Sequence, residues 1–236
     1  MITLIRSLEL YNFFRGLASV IAPNRCPFCE RIIPSDKFYC ENCPKFLPFI
    51  TKPVSPPENV SRLFACCYYR QRARDAVLRF KYKNEFYPAD AFALMISEKL
   101  SGIKADVIVP VPSSRKSVKN RGYATAEVMG KRIAMRLGIP MIKALGANRD
   151  KKEQKGLTAK NRIINAQNAF FVREESAVRG KKIILIDDVC TTGATLSAAA
   201  GLLLGAGAED VLAAVFAKTV SCGEIDLTRK KYRLHG

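Results

Sequence analysis

At 236 residues, 48% hydrophobic and 25% charged, the chain has room for one α/β domain of ordinary size plus a small appendage, and its balance excludes a disordered or fibrous protein. Thirty-nine Lys and Arg against twenty-one Asp and Glu leave a net charge of +18, which favours polyanionic partners such as nucleic acid, nucleotides or acidic lipid.

In the first twenty residues, apolar side chains at Leu4, Leu8, Tyr11, Phe14, Leu17 and Val20 recur at helical spacing, interrupted by Arg6, Glu9 and Arg15. The charges argue against a secretory signal and a membrane span. An amphipathic helix in a cytoplasmic protein is expected, packing on the module that follows, with docking on a membrane surface as the other use of its apolar face.

Next come C-P-F-C at Cys26 and Cys29 and C-E-N-C at Cys40 and Cys43, two pairs of equal internal spacing with ten residues between them. Two residues between thiolates let both sulfurs of a knuckle reach one ion, and two knuckles complete the tetrahedron of structural zinc. The rival readings are two disulfides, rare in a reducing cytosol, and a redox Cys-x-x-Cys, for which one motif suffices. Four thiolates close the shell, so the site is expected to be structural, with metal binding supplying most of this module's folding free energy. Cys66, Cys67 and Cys222 read as incidental thiols, and Cys190 lacks a nearby His partner because His235 is the only histidine.

Residues 1–50 are thus expected to form the N-terminal helix and zinc module. The proline-rich stretch 51–61 reads as a linker, 62–220 as the main domain and 221–236 as an irregular tail. Within the main domain SRLFACCYY reads as a strand. RARDAVLRFKYKN reads as a helix with Ala73, Val77 and Phe80 apolar, and PADAFALMISEKL as a helix begun by Pro88. DVIVPVP (106–112) is a strand, 119–138 a single helix closed by Gly138, and IPMIKAL and NAFFV (168–172) are strand candidates. KKIILIDDV, TLSAAAGLLLGAG and DVLAAVFAK then read as strand, helix and strand. Apolar strands alternating with helices imply an α/β fold, a parallel sheet covered on both faces.

Between Arg115 and Arg173 stand fifteen Lys or Arg against three acids. Such a run is either a solvated surface or a polyanion-binding stripe, and here both readings stand.

The chemistry concentrates in KIILIDDVCTTGATL. Ile183–Ile186 is expected to be a buried strand stopping at Asp187 and Asp188, at the strand end where parallel sheets bind ligands. Thr191, Thr192, Gly193, Ala194 and Thr195 then turn into a helix whose first N–H groups and hydroxyls can close on one phosphate. Two carboxylates beside a phosphate cradle suit sugar hydroxyls or a hydrated Mg²⁺, so the residues point to a phosphorylated sugar. The bland alternative is that the acids cap a strand and the Thr-Thr-Gly run only turns the chain.

IDDVCTTGAT resembles the phosphoribosyl-pyrophosphate (PRPP) motif of type I phosphoribosyltransferases, and the chain from 20 to 218 resembles the ComF family of competence-related proteins. Also alike are FKYKN (80–84), VPVP (109–112) followed by a basic segment, RGY (121–123), QKGL (154–157) and VRGKKIILIDD. The resemblance implies a type I-like domain after a four-cysteine zinc module, with Asp187 and Asp188 on the ribose hydroxyls and Thr191–Thr195 on the 5-phosphate. Ser113, Ser114, Arg115 and Lys116 would face pyrophosphate and Mg²⁺, and Arg149–Arg162 would form either a hood over the leaving group or ordinary surface. Arg121–Thr125 reads RGYAT where the family usually has RGFNQ, a difference lying where such enzymes place pyrophosphate or acceptor contacts.

Three functions follow as expectations. One is a PRPP-binding protein of DNA uptake that holds single-stranded DNA on Lys119, Arg121, Arg149, Lys151, Lys152, Lys155, Lys160 and Arg162, with Tyr82, Tyr123 and Phe170 stacking on bases. Another is an active Mg²⁺-dependent phosphoribosyltransferase with a nitrogenous acceptor. The third is a zinc-mediated adaptor to a competence helicase.

Overall fold

The apolar runs pair side by side because their alternate residues are all apolar and no face can be left to water. The computed structural model describes residues 23–83, 85–148 and 169–220. In it β1 (Leu63–Tyr68), β2 (Val107–Pro110), β5 (Lys182–Cys190) and β6 (Asp210–Lys218) form an all-parallel sheet in the order β1-β6-β5-β2. Ile184, Ile186, Leu212, Ala214 and Phe216 face one core, and Ile183, Leu185, Val211, Ala213 and Val215 face the other.

The first core is closed by α1 (Gln71–Tyr82), α2 (Pro88–Lys99) and α4 (Thr125–Leu137), and the second by α5 (Ala194–Gly205). Against α5 rests a two-stranded antiparallel sheet of β3 (Leu145–Ala147) and β4 (Phe170–Val172). There a Cβ on Gly146 would lie 2.3 Å from the Phe171 ring, so any side chain would displace that exposed ring. Both edges of the large sheet are covered, β1 by bridges from Phe49 and Val54 and β2 by a bridge from Met141.

Three expectations need correction. The helix expected over 119–138 is two: α3 (Arg115–Arg121) ends where Gly122 turns left-handed at φ 79°, and α4 starts afresh at Thr125 because Tyr123 between them is drawn into the core. β5 does not stop at the acids but runs through them, with Asp187 opposite Val215 and Cys190 opposite Lys218. IPMIKAL contributes one bridge at Met141, and the strand itself begins at Leu145.

Stretch 51–61 lies against the domain. Pro57 packs on Gly193, Asn59 Nδ2 donates to the Ser197 carbonyl at 3.4 Å, and Ser61 N–H donates to Val211 O at 3.0 Å. The expected N-terminal helix and C-terminal tail fall outside the described residues.

Candidate functional site

Pleat alternation separates the two acids of β5. Asp188 shares its face with Ile184 and Ile186 and so meets the helices of that side, whereas Asp187 follows Ile183 and Leu185. Asp188 is buried with both oxygens engaged: Lys81 Nζ, from the last turn of α1, lies 2.6 Å from Oδ1, and Thr125 Oγ1, at the start of α4, donates to Oδ2 at 2.6 Å. Asp187 Oδ1 accepts the Asp188 N–H at 2.8 Å, and among the described residues no cation forms an ion pair with it. Burial, and next the charge of Asp188, push the Asp187 carboxyl up to about 7, with Lys81 and Arg121 opposing. Burial works to lower the Lys81 ammonium, but Asp188 outweighs it and holds the lysine above its ordinary value.

The acids open into a cleft of about 340 Å³ whose wall also carries Tyr69, Ser113, Ser114, Ser117, Arg121, Thr191 and Thr195. Two segments of opposite expected role therefore face each other across the acids. Ser113 and Ser114 arrive from the end of β2, where Ser114 caps α3 by accepting the Ser117 N–H at 3.2 Å. Arg115 lines a second, larger cleft of about 790 Å³ with Glu127, Lys131, Lys143, Asn148, Phe171 and Arg173, and Val111, Pro112 and Ser113 are the wall common to both. Lys116 is exposed and lines neither cleft.

The turn after β5 is fixed by its glycine and by a contact from the end of β6. Gly193, at φ 81°, starts α5, and the Thr191 carbonyl accepts the Thr219 hydroxyl at 3.0 Å. Thr191 and Thr195 line the acid cleft, but Thr192, Gly193 and Ala194 border a cavity on the far side with Pro57, Asn59 and Ser197. The five expected phosphate residues are thus contiguous along the turn but divided between its two sides. Cys190, beside them, is buried, which pushes its thiol up to about 11 and disfavours a nucleophilic thiolate.

Of the expected DNA contacts, Lys119 is exposed on α3 and Arg121 lines the acid cleft, its Nε donating to the Ser117 carbonyl at 3.1 Å. Arg149, Lys151, Lys152, Lys155, Lys160 and Arg162 lie outside the described residues. Two of the expected stacking rings are misassigned. Tyr123 is buried between Phe80 and Phe86 with its hydroxyl on the Phe80 carbonyl, and Phe170 is buried while its neighbour Phe171 is exposed. Tyr82 is exposed as expected.

Cys26, Cys29, Cys40 and Cys43 converge with all four sulfurs within 4.8 Å of one another. Cys29 Sγ and Cys40 Sγ stand 3.7 Å apart, close to the ~3.8 Å edge of a tetrahedron with 2.3 Å metal–sulfur bonds. The cluster therefore fits a metal ion. Arg72 donates to Cys43 Sγ at 3.3 Å, and Arg79 donates to Glu30 Oε1 at 2.5 Å and to the Pro27 carbonyl at 2.7 Å. Phe28, inside the first knuckle, is buried against Phe92 and Phe216, so aromatic docking holds this segment against the domain independently of any metal.

Residue-level reasoning missed Lys81 and Thr125. Lys81 sits in FKYKN and Thr125 ends RGYAT, so both lay in segments already singled out, but neither segment announces a carboxylate partner.

The phosphoribosyl transferase domain family model matches residues 88–233. The competence protein ComFC of Streptococcus pneumoniae is 29% identical over 194 residues, covering 81% of this chain and 79% of the relative. Competence protein F of Haemophilus influenzae is 25% identical over 222 residues, covering 86% and 96%. The DNA utilization protein YhgH of Escherichia coli is 27% identical over 199 residues, covering 79% and 86%. No helix among the described residues is long and apolar enough to cross a membrane.

Proposed function

The chain belongs to the phosphoribosyl transferase domain family and to its ComF branch of competence proteins, and on that premise we propose that it is a cytoplasmic PRPP-binding protein of DNA uptake. The observation that carries this reading is the single cleft in which Asp187, Asp188, Thr191, Thr195, Ser113, Ser114 and Arg121 meet. The ribose hydroxyls meet the acid pair, with Asp187 taking them and Asp188 anchored behind it by Lys81 and Thr125, and the 5-phosphate lies on the turn 191–195 at the start of α5. Pyrophosphate, with Mg²⁺, faces Ser113 and Ser114, while Arg115 and Lys116 extend the positive field behind them. Zinc is held by the four cysteines in a closed, structural shell. Single-stranded DNA runs along the basic stripe, where Lys119 and Arg121 are the described members of the expected contact set and Tyr82 and Phe171 are exposed rings. A competence helicase, joined through the cysteine module, is the protein partner of a further reading.

Calorimetric titration of PRPP with Mg²⁺ tests the reading. Wild type is expected to bind, and Asp187→Ala and Asp188→Ala are each expected to lose tenfold or more, while a single-stranded oligonucleotide still binds both variants with an affinity that falls steeply with salt. Equal PRPP affinity in all three proteins would remove the acid pair from the site.

A second reading is favoured by the larger cleft. It adjoins the acid cleft through Val111, Pro112 and Ser113, beside the expected pyrophosphate, and has room for a nitrogenous acceptor. An active phosphoribosyltransferase would release pyrophosphate from PRPP on addition of that acceptor, and a panel of nucleobases and amines assayed for pyrophosphate decides between the two.

A further inference from the structure

Lys81 has a placement that a purely structural ion pair does not need. Val77, Phe80 and Lys81 share one face of α1; the first two are fully buried, and the lysine stem follows them inward while its ammonium emerges on the cleft wall. There it stands 2.6 Å from Asp188 Oδ1, with about a quarter of its side chain still exposed to the cleft, whereas Asp188 is 5% exposed. The acid pair thus carries a positive charge supplied by the chain itself, at the place where sugar hydroxyls are received.

We propose that Lys81 is the resident cation of the sugar-phosphate site, occupying at Asp188 the position that a divalent ion would otherwise have to fill. Two adjacent carboxylates repel an anionic ligand and each other until a cation joins them. With Lys81 in place, Asp188 is neutralised before any ligand arrives, and Asp187 is the member of the pair left to take hydroxyl hydrogen bonds. Without Lys81, only the Thr125 hydroxyl would remain on Asp188, and two oxygen-rich groups facing a cleft are a setting that recruits Mg²⁺. Lys81 therefore sets how far PRPP binding depends on added metal. This rests on the reading of the cleft as a PRPP site.

The test compares PRPP affinity with and without added Mg²⁺, in divalent-free buffer that leaves the cysteine-bound metal in place, using calorimetry on the full chain. Wild type is expected to keep its Mg²⁺-free affinity within about tenfold of the value in Mg²⁺. Lys81→Met is expected to lose Mg²⁺-free binding by a further thirtyfold or more while keeping most of its binding in Mg²⁺. Lys81→Arg, which retains the charge, should keep the wild-type ratio, as should Thr125→Val, which removes the other donor to Asp188 and leaves the ammonium. Should Lys81→Met fail to fold, the wild-type and Lys81→Arg ratios still decide the matter, because a wild type that needs Mg²⁺ for any binding overturns the proposal. Equal weakening of Lys81→Met in both buffers would also overturn it, reducing Lys81 to a general attraction. If wild type ignores PRPP in both buffers, the site assignment itself falls and this inference falls with it.

Discussion

The cysteine cluster and the acid cleft lie at opposite contacts of one helix and are built on opposite plans. α1 reaches the first through Arg72 and Arg79 and the second through Lys81, two residues further on. Around the cysteines the parts converge on one another: the four sulfurs lie within 4.8 Å, Arg72 donates to Cys43 Sγ, Arg79 donates to the Pro27 carbonyl, and Phe28 is driven into the core beside Phe216, whose ring stacks on Phe92 at 3.7 Å. Around the acids the protein leaves an open cleft that Ser113, Thr191 and Thr195 also line. A shell filled by its own ligands stabilises, and a shell left half filled can bind; proximity along α1 means that damage to the first should be felt at the second.

The largest expected break is at the cysteine cluster. A structural zinc contributes on the order of 10 kcal/mol to the segment that binds it, so Cys26→Ser is expected to abolish stoichiometric metal by elemental analysis and to expose residues 23–50 to proteolysis. Phe28→Ala separates docking from metal. It leaves all four cysteines, so metal should remain bound, while the lost aromatic burial lowers unfolding stability by about 3 kcal/mol in a urea titration. Metal loss in Phe28→Ala would show instead that docking organises the cluster.

Gly193→Ala acts on the open side. Its φ of 81° and a Cβ placed 2.6 Å from Pro57 Cβ force either strain or withdrawal of stretch 51–61, at a cost of about 2 kcal/mol. PRPP affinity should fall while metal content stays constant, and a variant with wild-type PRPP affinity would show that the turn tolerates that shift.

The last test concerns pH. Asp187 is raised in the folded protein to about 7, so the folded state holds this proton more tightly than the unfolded chain, and the group's contribution to stability declines as pH rises from about 4 to 7. Asp187→Asn should remove that decline. Relative to wild type the variant gains stability between pH 4 and pH 8, measured as a difference in urea midpoint. Parallel profiles for the two proteins would place the buried charge elsewhere.

Local pattern made much of the molecule legible. KIILIDDV is apolar on both parities, which demands cover on both faces, and the paired Cys-x-x-Cys spacing leaves few geometries besides one shared ion. Pro88 and Gly138 bound their helices where they stand in the chain. The failures occurred where a tertiary demand overrode a local one. Helical periodicity continues across Gly122, yet the burial of Tyr123 breaks it, and Phe170 and Phe171 are indistinguishable in composition until the ring of one lies over Gly146.

The same division applies to chemistry. Residue order alone was enough to place two acids and a phosphate-type turn at the end of one strand, because these groups are neighbours in the chain and their backbone dictates their spacing. Which acid is held and which is offered was settled only when the helices packed on the sheet. Lys81 and Thr125 come from separate elements far from Asp188 in the chain, and nothing short of the folded layers brings an ammonium, a hydroxyl and a carboxylate within hydrogen-bonding distance.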